Sequence, residues 1–105
     1  TSHHQAVKRI LRYLRFTPEF GVWFLASSSL SLCGYSDADY AGCRVEHKST
    51  SGTCQFLGTS LVSWSSRKQS SVAQSTTEAE YVAAAACCSQ LLWMIATFER
   101  LWVRV

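Results

Sequence analysis

Acidic side chains are scarce in this 105-residue chain, which has seven Asp and Glu residues against ten Lys and Arg. The first 15 residues contain no acid but four cations, whereas the remaining residues hold six bases and seven acids. The positive charge is therefore concentrated at the start of the chain, at Lys8, Arg9, Arg12 and Arg15. Such a segment either contacts a polyanion or forms an ordinary solvated face, and its charge alone leaves both open.

Cysteine pairs with the spacing of a metal site are also missing. The five cysteines are odd in number and form no C-x-x-C motif, and Cys87 and Cys88 are adjacent in an alanine-rich stretch. This usage argues against a zinc site and favours reduced, mostly buried thiols in an intracellular protein of the cytoplasm or nucleus. The histidines match no Ser–His–Asp arrangement.

No apolar run approaches the roughly 20 residues of a membrane span, and the polar, basic start lacks a secretory signal. We therefore expect no membrane contact. The chain begins at Thr1 rather than Met, so we expect a piece of a longer protein. With 48% hydrophobic residues it can form the core of one small domain.

Helical periodicity occurs near both ends. Val7, Ile10, Leu11 and Leu14 predict a helix over residues 2–15, which ends before the Thr17-Pro18 pair. Toward the other end, a capping box predicts a helix over residues 76–102, with Ser75 as N-cap and Glu78 at the third position. Its expected buried stripe consists of Tyr81, Ala84, Cys88, Leu91, Ile95, Phe98 and Trp102.

Between the helices, short apolar runs separated by turn residues predict strands. Three of them follow one another closely, which indicates an antiparallel meander, and "RKQSSVAQ" after the third is expected to be an exposed loop. An earlier strand is predicted from "FGVWFLA". The four ranges are 20–26, about 30–38, about 51–57 and 60–66.

Two carboxylates lie on the second of these strands. Asp37 and Asp39 in "GYSDADYAG" are two residues apart, so they share a face and repel each other. Asp39 is either solvated at a turn or close to a divalent cation. Glu80 lies at the edge of the helical stripe, where a carboxylate that faces the sheet needs a partner. A metal ion between Asp37 and Glu80 would supply one, and a water-exposed Glu80 is the alternative.

Four motifs carry a resemblance: "YSDADYAG", "KSTSG", "LVSWSSRKQ" and "STTEAEY", in this order. The stretch closely resembles the ribonuclease H region of copia-type LTR-retrotransposon Pol polyproteins. "AVKRILRYLRFTP" resembles the segment that joins reverse transcriptase to ribonuclease H there. The resemblance, over residues 3–98, implies an α/β, ribonuclease H-like fold with a three-stranded antiparallel meander and a long helix. We expect a connection segment, helix plus strand, over 1–29 and a partial ribonuclease H-like domain over 30–105.

The resemblance also implies an activity. The family cleaves the RNA strand of RNA–DNA hybrids by two-metal hydrolysis with Mg²⁺ or Mn²⁺. Asp37 and Glu80 match its first two catalytic, metal-binding carboxylates. The implied partners are an RNA–DNA hybrid and the reverse transcriptase domain. Possible contacts to the nucleic-acid backbone are Ser36, Ser65, Ser66, Arg67, Lys68 and Gln69, although Arg67 and Lys68 also suit a solvated loop.

The sequence departs from the family after the long helix. No Asp follows Asp39, so the third and fourth carboxylates are absent, and two carboxylates form a poor cage for two Mg²⁺ ions. We expect a C-terminally truncated domain that is inactive as this chain. The alternatives are a non-catalytic remnant that binds nucleic acid or Pol through its basic helix, and a remnant without a function. The strand over 30–38 is expected to have an open, association-prone edge unless "FGVWFLA" or "LWVRV" covers it.

Overall fold

The computed structural model describes residues 2–25 and 30–101, which form a mixed α/β structure. The elements are α1 (Ser2–Phe16), β1 (Leu32–Asp39), β2 (Thr50–Leu57), β3 (Ser60–Lys68) and α2 (Thr76–Arg100). The strands pair antiparallel in the order β1-β2-β3. The predicted meander is confirmed, although β3 continues through Arg67 and Lys68, which were expected in a loop.

The strand predicted over residues 20–26 is wrong over its described part, because residues 20–25 form no strand. Ala26 lies outside the described residues. The segment is attached to the turn end of the sheet, where the Ser60 hydroxyl donates a 2.7 Å hydrogen bond to the Trp23 carbonyl. Phe20, Trp23 and Phe24 remain exposed. Apolar residues favour a strand only where their side chains pack, and these three aromatic side chains are largely exposed.

Small side chains on α2 face the sheet. The buried residues of the helix are Ala79, Ala83, Cys87 and Met94. The stripe of residues predicted to be buried does not coincide with this face, since Tyr81 is 73% exposed and Cys88 is exposed. The larger apolar residues gave the stronger periodic pattern, but the helix buries its small residues because they permit a close approach to the strands.

Gly34 supplies the matching space on β1. A Cβ atom at this position would lie 2.8 Å from both Cys87 Sγ and Leu91 Cδ1. The helix therefore rests directly on the backbone of β1. It packs against β1 and β2, whereas neither described helix packs closely over β3.

The first turn of α2 confirms Ser75 as the N-cap. The Ser75 hydroxyl accepts a 3.1 Å hydrogen bond from the Glu78 amide. The Glu78 carboxylate accepts from the Gln74 amide at 2.7 Å, one residue before the usual capping-box partner. The helix ends at Arg100, and the predicted Trp102 lies outside the described residues.

By length and composition alone, α2 could cross a membrane, contrary to the expectation that no such run exists. This is weak evidence, because core helices of soluble proteins pass the same criterion. In the structure, α2 lies against the sheet with its small residues inward.

The first helix is amphipathic as predicted but unpacked. It contacts none of the other described elements. Its apolar side chains are all more than half exposed, including Val7, Ile10, Leu11 and Leu14.

The close approach at Gly34 predicts the effect of one added methyl group. Gly34→Ala should lower the free energy of unfolding by about 1–3 kcal/mol, since Cys87 and Leu91 must move. Gly21→Ala is the matched control because nothing lies within 4 Å of a Cβ there, and its effect should stay within about 0.5 kcal/mol. Urea unfolding followed by circular dichroism measures both, and equal effects would contradict the packing account.

Candidate functional site

The Glu80 carboxylate lies at the edge of β1. Its Oε1 accepts a 3.3 Å hydrogen bond from the Ala38 amide nitrogen. Only two backbone bonds separate that nitrogen from the Asp37 Cα, so Oε1 lies within about 6 Å of this Cα. The position of Glu80 in the sequence predicted that its carboxylate needs a partner. In the structure this partner is the backbone N–H of Ala38, beside Asp37.

Asp37 itself projects from the other face of β1. Side chains alternate along a strand, and Gly34 and Ala38 lie on the face toward α2. Asp37 therefore lies on the face away from α2 and is exposed. Because β1 is an edge strand, the two carboxylates can approach each other only around this open edge.

Asp39 is the last residue of β1, where it pairs with Thr50 directly before a turn. A Cβ atom at Gly42 would collide with the Asp39 carboxylate, so the two residues pack closely. Ala41 has a left-handed φ of 50°, and its amide donates a 3.1 Å hydrogen bond to the buried Ser49 hydroxyl. Asp39 is exposed at the end of β1, next to this turn, and a cation close to it stays a prediction.

The carboxylates available for a cation are few. Residues 2–25 and 30–101 contain no group of three or more His, Cys, Asp or Glu side chains that could hold a metal ion. Asp37 and Glu80 offer hard oxygen ligands, which suit Mg²⁺. Magnesium sites in proteins commonly use one or two carboxylates and complete the shell with water and phosphate oxygens. The two carboxylates are enough protein ligands for one magnesium ion but not for two.

The predicted nucleic-acid contacts do not form one surface. Ser36 on β1 is exposed and lies opposite Thr53. On β3, alternation directs Ser65 and Arg67 to the face on which α2 packs, and Ser66 and Lys68 to the opposite face.

Gln69 is buried, with 5% exposure. Its amide nitrogen donates to the Ser51 hydroxyl and to the Ala79 carbonyl, both at 2.9 Å. The side chain links β2 to α2, and it contributes to the site by holding the helix rather than by facing solvent.

Cys43 lies close to a cluster of charged side chains that the sequence did not predict. Lys68 Nζ lies 3.2 Å from Glu46 Oε2, and Lys48 Nζ lies 3.7 Å from the same oxygen. Hydrogen bonds from the backbone of Glu46 and Val45, assisted by Lys68, lower the pKa of the Cys43 thiol. Lys68 also lowers the pKa of Glu46, whose carboxylate in turn raises the pKa of Lys68. These groups come together only through the fold of the 40–49 loop. Their spacing in the sequence therefore did not predict the cluster.

The lowered pKa of Cys43 predicts its reactivity. Its alkylation by iodoacetamide, followed by site-resolved mass spectrometry, should have a pH midpoint below the ordinary thiol value. Lys68→Met should raise this midpoint in part, because the backbone donors remain, while Lys8→Met serves as the control. An unshifted midpoint in the parent chain, or equal effects of the two variants, would contradict the assigned environment.

Comparisons with known proteins place the chain among transposon sequences. It is 45% identical over 103 residues to the retrovirus-related Pol polyprotein from transposon RE1 of Arabidopsis thaliana, covering 98% of the chain. It is 44% identical over 92 residues to the Pol polyprotein from transposon TNT 1-94 of Nicotiana tabacum, covering 88% of the chain. The chain spans about 7% of each polyprotein.

A third relative is covered more fully. The chain is 42% identical over 99 residues to secreted RxLR effector protein 161 of Plasmopara viticola, which is 94% of the chain and 70% of that protein. No family model and no solved structure matches the chain. Because the similarity to the polyproteins extends over nearly the whole sequence, it supports a fragment of a retrotransposon Pol polyprotein.

Proposed function

We propose that the chain corresponds to the ribonuclease H region of a copia-type Pol polyprotein and carries its first two catalytic carboxylates, Asp37 and Glu80. The observation that supports this most directly is the hydrogen bond from the Ala38 amide to Glu80 Oε1. It brings a helix carboxylate to the strand position beside Asp37, in a chain homologous to transposon Pol polyproteins. Within this proposal, residues 1–29 are the connection segment and residues 30–105 the ribonuclease H-like part.

Asp37 and Glu80 would hold Mg²⁺ or Mn²⁺, which in this chemistry activates water and neutralises charge on the phosphate. The chain's own contribution is to position these ligands. The Ala38 amide orients the Glu80 carboxylate, and the close packing of α2 at Gly34 fixes the helix over β1. Ser66 is exposed on the same face of the sheet as Asp37 and could contact the sugar-phosphate backbone of the hybrid there, whereas Ser36 lies on the opposite face.

Two carboxylates fall short of the set that two-metal hydrolysis uses, so we propose that this chain alone does not cleave RNA. The activity belongs to a polypeptide that adds the remaining carboxylates, next to a reverse transcriptase domain. On this proposal the chain acts inside the cell, in the cytoplasm or nucleus, with a nucleic-acid hybrid as its partner and no membrane.

The second candidate function is non-catalytic binding of nucleic acid or of another part of Pol. The unpacked α1 favours it, because four cations and an exposed apolar face lie on one helix. Loss of hybrid binding on Arg9→Gln plus Arg12→Gln, with Asp37→Asn unaffected, would select this candidate over the carboxylate site.

The catalytic proposal is tested by restoring the missing ligands. A chimaera joins residues 1–101 to the segment that follows the matched region in the transposon RE1 polyprotein. We expect Mg²⁺- or Mn²⁺-dependent cleavage of a labelled RNA–DNA hybrid by the chimaera and none by the chain alone. Asp37→Asn and Glu80→Gln should each lower cleavage by roughly 100-fold or more, since even outer-shell partners of metal ligands are worth about 10–100-fold.

Asp39→Asn is the matched control, because this neighbouring carboxylate lies at the end of β1 against Gly42, and its variant should retain cleavage. Glu80→Gln keeps an oxygen that can accept from Ala38, so the edge of β1 should remain intact. Full activity in Asp37→Asn or Glu80→Gln, or no cleavage by a chimaera with native circular dichroism, would contradict the proposal.

A further inference from the structure

A polar pocket lies between α2 and the adjoining face of β3. It exists because α2 covers β1 and β2, while none of the described elements covers β3. Its volume is about 290 Å³. Besides Trp64 and Ala86, the pocket is lined by six polar residues, Thr53, Gln55, Ser63, Ser65, Arg67 and Gln90.

The strand register collects these side chains on one face. Thr53 pairs with Ser65, and Gln55 pairs with Ser63. The Thr53 and Ser65 hydroxyl oxygens lie 2.9 Å apart, so one donates to the other and the accepting hydroxyl keeps its own proton. The Ser63 hydroxyl accepts from the Gln90 amide nitrogen at 3.4 Å and likewise keeps a proton. Two hydroxyl donors are therefore available to a ligand.

Arg67 provides the charge. It lines the pocket and takes part in neither of the salt bridges observed within the described residues, whereas the neighbouring Lys68 is paired with Glu46. The lining residues include no Asp or Glu. A guanidinium group without a carboxylate, next to hydroxyl donors, suits a tetrahedral oxyanion that accepts several hydrogen bonds at once.

Gln55 lies in the wall of the pocket, where its Oε1 can accept a hydrogen bond from a donor on an attached group but not from a phosphate oxygen. The residue is fully buried, and its Oε1 has no hydrogen-bond partner among the described residues. Its amide nitrogen has only a 3.6 Å contact to Cys87 Sγ. A buried amide at the centre of a sheet is unfavourable unless it is hydrogen-bonded, and an apolar side chain would pack there without that penalty.

We propose that this pocket binds a phosphate group, with the Arg67 guanidinium and the hydroxyls of Ser63 and of the Thr53–Ser65 pair as donors. The volume is larger than one phosphate needs and leaves room for an attached group of about nucleoside size. The proposal goes beyond strand cleavage, because phosphate binding here requires neither Asp37 nor Glu80.

The test is isothermal titration calorimetry of the whole chain at constant ionic strength, with chloride as the reference anion. The ligands are inorganic phosphate, a nucleoside monophosphate and a short single-stranded oligonucleotide. We expect saturable 1:1 binding of the phosphate compounds. Preference for the monophosphate would identify a free nucleotide as the source of the phosphate, and preference for the oligonucleotide would identify a nucleic-acid backbone.

Three variants locate the site. Arg67→Met should weaken binding by 10-fold or more, and Ser65→Ala should weaken it by several-fold. Arg44→Met is the matched control, since Arg44 is exposed and does not line the pocket, and it should bind like the parent. Asp37→Asn should also bind like the parent, which separates this proposal from the carboxylate site. The proposal fails if the folded parent shows no saturable binding, or if Arg44→Met weakens binding as much as Arg67→Met.

Discussion

The close contact between α2 and the backbone of β1 is the constraint on which the rest of the structure depends. Gly34 leaves no side chain between the strand and Cys87, and Ala79 and Ala83 add almost no thickness to the buried face of the helix. The helix is thereby drawn toward β1. Two features follow from its position: Glu80 reaches the open edge of β1, and β3 stays uncovered on the same side of the sheet.

The buried part of the described structure is unusually polar. Ser49, Ser51, Gln55, Ser60 and Gln69 are buried, while the buried apolar residues are small apart from Met94. Hydrogen bonds therefore carry much of the specificity, most clearly at Gln69, which connects Ser51 with the first turns of α2. A polar interior of this kind contributes little hydrophobic stabilisation, and many large apolar side chains remain on the surface, notably along α1 and residues 20–25.

Local chemistry made part of this structure predictable. The N-cap at Ser75, the helix near the start and the three-stranded meander follow from capping and turn residues and from hydrophobic periodicity, and the structure has all of them. The buried face of α2 could not be found in the same way. Periodicity weights large residues such as Tyr81, but the face was selected by the space above Gly34, which depends on a contact between distant parts of the chain. The prediction of a strand over residues 20–25 failed for a related reason, because the β propensity of Phe20, Trp23 and Phe24 is not matched by burial of their side chains.

In the candidate site, too, some residues were predictable from local sequence patterns and others depend on contacts between distant parts of the chain. Asp37 and Glu80 could be singled out because their positions, on a strand and at the edge of a helical stripe, are local patterns in the sequence. Spacing did not indicate that Gln69 would be buried, that Lys68 would bind Glu46, or that Arg67 would line a pocket with Thr53 and Ser63. Each of these depends on the register of three strands and on the fold of the 40–49 loop.

Titration of Mn²⁺ into ¹⁵N-labelled protein tests most directly the central claim that Asp37 and Glu80 form one cation site at the edge of β1. Paramagnetic broadening should appear first at the amides of residues 37–38 and of Glu80, and either Asp37→Asn or Glu80→Gln should abolish it at both places. Broadening that begins elsewhere, or that survives in both variants, would contradict the claim.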